Sequence, residues 1–86
     1  MNLETRYPEI AKEARELLDL FEKRKTLTLP QLREVLTRLT QHMKKYDEEI
    51  IDQNPEIPQV HLIYLGSMIL ATNKVKDEIR LRIKCN

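Results

Sequence analysis

Glycine is nearly absent: Gly66 is the only one in 86 residues. Folds built on hairpins use glycine wherever a turn needs positive φ, so a chain this poor in it is not a turn-rich β protein. Cysteine is equally scarce. Cys85 stands alone, which excludes an internal disulfide, and its place second from the end of the sequence does not fit a prenylation box. It is expected to be a free, exposed thiol. His42 and His61 share no ligand spacing with each other or with the cysteine, so no metal site is expected. There is no tryptophan, no Gly-rich phosphate loop and no Cys–His or His–His pair of catalytic spacing, so neither a catalytic constellation nor a cofactor is expected.

Charge of one sign is also missing. Fifteen basic residues balance fourteen acidic ones, leaving +1, so no global field draws the chain to nucleic acid or anionic lipid. The longest apolar stretch, LIYLGSMILA, is about half of the ~20 residues that span a bilayer, and MNLETRYPEI carries no apolar signal core. A soluble, cytoplasmic protein is expected, with no membrane partner. A chain this short buries only a modest core, so regular packing or association must stabilise it.

What is present is helical patterning: 41% hydrophobic residues and 34% charged, arranged in three runs. The first places Ile10, Ala14, Leu17, Leu18 and Phe21 on one stripe, with Glu13 and Glu16 away from it, and predicts a helix over 8–25 that starts at Pro8. The second places Leu32, Val35, Leu36, Leu39, Met43, Tyr46 and Ile50 on a stripe and predicts a helix over 29–51. Between them, TLTLPQL is a start signal. Thr28 serves as N-cap, Gln31 reaches back to it, Leu27 and Leu32 form a hydrophobic staple, and Pro30 falls in the first turn. The same stretch resembles the entry of helix-turn-helix and winged-helix domains, but a DNA reader needs a second turn and a basic recognition helix, whereas this run continues for about six turns. His42, at the border of the second stripe, is expected to be half-exposed with no ligand role.

DQNPEIPQ, with prolines at 55 and 58, breaks the second helix and turns the chain back, Ile57 plugging the end of the core. The third run predicts a helix over 59–84. Its stripe is Val60, Ile63, Tyr64, Met68, Ala71, Val75 and Ile79, yet Leu62, Leu65, Ile69 and Leu70 fill the other directions, with Gly66 and Ser67 at the centre. One helix face suffices for a three-helix bundle, so a second apolar face needs a cover. That cover is either the N-terminal segment with Leu3 and Tyr7 or another chain. Leu65→Glu is expected to abolish association while leaving helicity largely intact; loss of the fold itself would instead place Leu65 in the protomer core.

Charge is segregated along the chain. Residues 47–56 carry Asp47, Glu48, Glu49, Asp52 and Glu56 with no base, while residues 74–84 carry five bases against Asp77 and Glu78. Two chains packed antiparallel through their third helices bring each basic tail towards the other's acidic joint. Glu48 and Asp52 share a helical face that could loosely hold Mg²⁺, but a solvated helix end is the simpler reading. The order of segments, with LREVL in the second run and IYLGSMIL followed by KVKDEIRLRIK in the third, resembles the helical domain of GINS replication subunits over part of the chain. Those residues are common helix formers, the β-rich module such subunits usually carry is not seen, and no functional residue is carried over.

The expectation is therefore an all-α antiparallel three-helix bundle in one domain, completed by association through the third helix, and a non-catalytic interaction module: an adaptor, assembly factor or inhibitor-like subunit. Its partner is itself or a larger complex. The contact residues are Leu62, Leu65, Gly66, Ile69 and Leu70, with Lys76, Arg80 and Lys84 setting orientation. The alternative is a small nucleic-acid-associated regulator that uses this basic stripe, although no aromatics interleave with it.

Overall fold

A computed structural model describes residues 3–53 and 58–85, and among these the chain is helical with no strand. A single turn, α1 (Leu3–Arg6), leads into three long helices: α2 (Pro8–Glu22), α3 (Leu29–Tyr46) and α4 (Pro58–Cys85). The chain is thus an all-α three-helix bundle, 47 Å in its longest dimension. α4 sets that length, since its 28 residues at 1.5 Å each span about 42 Å.

α3 packs along both α2 and α4. The directions follow from the contacts: Glu13 meets His42 and Glu16 meets Arg38, so α3 runs back along α2. Tyr46 meets His61 near one end of α4 while Arg82 reaches residues 24–27 near the other, so α4 runs back along α3. Leu17, Leu32, Val35, Leu39, Met68 and Val75 form the central core. Ile10, Tyr46 and Ile50 form a second cluster towards the end of α3, with Tyr7, Tyr64 and Leu65 packed against it.

The joint at TLTLPQL forms as its residues dictate. Thr28 Oγ1 accepts from the Gln31 N–H at 3.3 Å, and Gln31 Oε1 accepts from the Thr28 N–H at 2.8 Å, which closes a capping box. Leu27 and Leu32 both join the central core. α2 ends at Glu22, short of the expected 25, and Arg24–Thr26 tighten into a 3₁₀ turn. There the Thr26 hydroxyl donates to the Lys23 carbonyl at 2.8 Å. α3 ends as α-helix at Tyr46 but continues as a π-helical turn over Asp47–Ile51, marked by the Asp52 N–H donating to the Asp47 carbonyl. A wider turn shifts the following side chains around the axis, and here Ile50 is fully buried with Ile51 partly so.

Three expectations are corrected. His42 is fully buried, not half-exposed, because Glu13 and Tyr64 satisfy both of its ring nitrogens. Leu18 stands outside the α2 stripe, 50% exposed, and Ala11 is buried instead. Ile63 points outwards, 72% exposed, while His61, Leu65 and Thr72 turn towards the protomer. The expectation for Ile57 falls outside the described residues, as do those for the side chains of Leu3, Val60 and Cys85.

Candidate interaction surface

The inward side of α4 is fixed by an unusual set of polar contacts. His42 lies between the Glu13 carboxylate, 2.7 Å from Nδ1, and the Tyr64 hydroxyl at Nε2. With Glu13 ionised and Tyr64 protonated, one proton arrangement satisfies every group: a neutral imidazole donates from Nδ1 to Glu13 and accepts at Nε2 from the phenol. Beside it Tyr46 stacks on Tyr64, ring centroids 4.2 Å apart, and its hydroxyl lies 3.1 Å from His61 Nδ1. No buried side-chain polar atom among the described residues lacks a partner.

Burial pushes the Tyr64 phenol up to about 12, reinforced by Tyr46 and Glu13, so it stays a donor. Burial also pushes the Tyr46 phenol up. For Glu13, burial acts in the raising direction, but the hydrogen bond from His42 and the charges of Lys45 and Arg38 outweigh it and hold the carboxyl below its usual value. The chain carboxylate–imidazole–phenol therefore ties α2, α3 and α4 together at one level. His42 is closed to solvent, so the chain acts as a lock on helix register.

At the other end Arg82 does the equivalent work. Its Nη1 donates to the Leu27 carbonyl at 2.7 Å and its Nη2 to the Lys25 carbonyl at 2.7 Å, while Nε pairs with Glu78 at 3.0 Å. α4 is thereby clamped to the α2–α3 joint, whose carbonyls lack helical partners of their own.

With both ends held, the opposite side of α4 is presented to solvent. Leu62 is 69% exposed, Ile69 52% and Leu70 56%, and Ile63 belongs to the same row. Gly66 lies among them, and a Cβ added there would meet nothing within 4 Å. The row continues sideways into a shallow groove of about 140 Å³ between α2 and α4, lined by Leu18, Phe21, Met68, Leu70 and Ala71 over Leu39.

Of the contact residues expected from the sequence, Leu62, Gly66, Ile69 and Leu70 come together on this face. Leu65 does not, being packed against the Ile10–Tyr46–Ile50 cluster. Lys76, Arg80 and Lys84 are exposed on the C-terminal half of α4, Arg80 pairing with Asp77 at 3.2 Å. Ile63 and Leu18 were missed as surface residues. Counting α-helical angles from His61 and Tyr64 as inward residues would have found Ile63, since it lies about 160° around the axis from His61 and about 100° from Tyr64.

Among the described residues no group of three or more His, Cys, Asp or Glu is placed to hold a metal ion, so Glu48 and Asp52 have no third such ligand beside them, and no helix is long and apolar enough to cross a membrane. Comparison with protein-family models, curated proteins and solved structures finds no match.

Proposed function

We propose that this protein is a non-catalytic interaction module, an intracellular adaptor or assembly subunit whose working surface is the outward face of α4. The observation that carries the reading is the row Leu62, Ile63, Ile69 and Leu70, exposed on a helix whose inward side is fully satisfied. Burying a Leu or Ile side chain completely contributes about 1.5–3 kcal/mol. Covering four that are already partly buried contributes roughly half to two-thirds of four times that value, enough to offset a substantial part of the cost of association. The face is also pre-organised, because the His42 network and the Arg82 clamp fix the helix before any partner arrives.

The nucleic-acid reading draws less support. Arg82 is committed to backbone carbonyls and Arg80 to Asp77, so Lys76 and Lys84 are what remains of the basic stripe for phosphate contact. It predicts binding that falls steeply between low and moderate salt. The test of the favoured reading is the double substitution Leu62→Glu, Ile69→Glu. Helix content and melting temperature should hold while association, with itself or with another protein, is lost. Association that persists in the double variant refutes the reading.

A further inference from the structure

We propose that the occupant of the α4 face is a second copy of this chain, its α4 laid antiparallel across the first, the two helices crossing at Gly66 and the basic end of each α4 set beside the acidic end of the other's α3. This rests on the reading of that face as a docking surface, and two independent features select the occupant.

The first is the symmetry of the row. Nothing inside the protomer approaches Gly66, so its lack of a side chain serves no internal packing need. A helix crossing over a residue without Cβ can come closer than usual, and the side chains on either side then interlock around the crossing. With a two-fold axis beside Gly66, Leu62 meets Ile69 of the second copy on one edge of the contact and Ile63 meets Leu70 of the second copy on the other, and the reverse pairs form symmetrically. The row is therefore complementary to itself, as a two-fold interface requires. Leu18 and the groove between α2 and α4 extend the contact at its edge.

The second is charge. Asp47, Glu48, Glu49 and Asp52 are exposed and make no ion pair among the described residues, and the same is true of Lys74, Lys76 and Lys84. Within one protomer the two sets are held apart. The Tyr46–His61 hydrogen bond puts the start of the acidic segment level with His61, and residues 61 to 74 cover about 20 Å of helix, more than two Debye lengths at physiological salt. An antiparallel crossing at Gly66 mirrors these levels. The acidic segment, starting at the level of residue 71 of the second copy and running outwards, then comes level along the axis with Lys74 and Lys76 of the second copy, with Lys84 of the second copy continuing beyond. Symmetry makes the same match at both ends, whereas a parallel pair would set like charge against like.

The test is sedimentation equilibrium of the full chain from micromolar to millimolar concentration at physiological salt, with three variants. Gly66→Leu should raise the melting temperature, since it fills open space on a helix, yet weaken the dimer about tenfold or more by forcing the helices apart. The charge variants Glu48→Lys/Glu49→Lys/Asp52→Lys and Lys74→Glu/Lys76→Glu/Lys84→Glu should each self-associate about tenfold more weakly, and an equimolar mixture should recover a heterodimer of near wild-type affinity. A dimer whose charge variants fail to recover on mixing overturns the proposal. So does a wild-type chain that is monomeric to millimolar concentration. In that case the docking-surface reading still stands if binding to a different protein is abolished by Leu62→Glu, Ile69→Glu. A dimer unaffected by that double substitution overturns both.

Discussion

Replacing Tyr64 with phenylalanine removes one oxygen atom and leaves the ring, its stack on Tyr46 and its contact with the second apolar cluster in place. What changes is the partner of His42. With Nδ1 committed to Glu13, the Nε2 lone pair loses its donor at a side chain with no exposed surface. Leaving a buried acceptor unsatisfied costs about 1–3 kcal/mol. For a domain of this size each kcal/mol lowers the melting temperature by roughly 4–8 °C, so a loss of about 2 kcal/mol lowers it by roughly 8–16 °C. Urea unfolding followed by circular dichroism should show an earlier midpoint with an unchanged slope, because the surface exposed on unfolding is the same. A change below about 0.5 kcal/mol, the usual range for substitutions that disturb no buried group, would refute the view that the carboxylate–imidazole–phenol chain locks the helices.

The same network predicts both limbs of the pH dependence. Glu13 titrates lower in the folded chain than in the unfolded one, so its stabilisation is complete above its ordinary pKa and is lost as pH falls through the lowered one; Glu13→Gln should flatten that acid limb in a denaturation series. The Tyr64 phenol is raised, so its stabilisation is complete below about 10 and is lost as pH climbs towards about 12, a limb that Tyr64→Phe should remove. Arg82→Ala should cost about 1–3 kcal/mol by stripping the Leu27 and Lys25 carbonyls of their donor, and Arg82→Lys should recover little of it, since one ammonium cannot reproduce the guanidinium fork; thermal melts of the three proteins decide.

The three runs, the proline-started α2 and the capping box at Thr28 were legible in the sequence because each depends on residues within one or two turns of each other. The register of α4 was not. Leu62, Ile63, Leu65, Ile69 and Leu70 are all apolar, so periodicity alone cannot say which of them face inwards. Ile63 and Leu65 lie about 200° apart on the helix and cannot both do so. The choice is made by polar partners from other helices: Tyr64 to His42, His61 to Tyr46 and Arg82 to the joint carbonyls. These pairs are separated by 22, 15 and 55 residues, and nothing local marks them. His42 looked like a border residue for the same reason, since its burial depends on Glu13, a residue on the flank of a different helix.

The central claim is that α4 faces the protomer through Tyr64, Leu65 and Met68 and faces a partner through Leu62, Ile63 and Ile69. Leu65→Glu and Ile69→Glu put the same charge on one helix, one turn apart, and should have opposite consequences. Melting temperature and solution mass, measured side by side on both variants, test the claim most directly. The account predicts that Leu65→Glu lowers the melting temperature by several degrees or more, and that Ile69→Glu leaves it unchanged while abolishing association. An Ile69→Glu chain that unfolds, beside a Leu65→Glu chain that stays folded, would mean that α4 is rotated and that the outward row is part of the core.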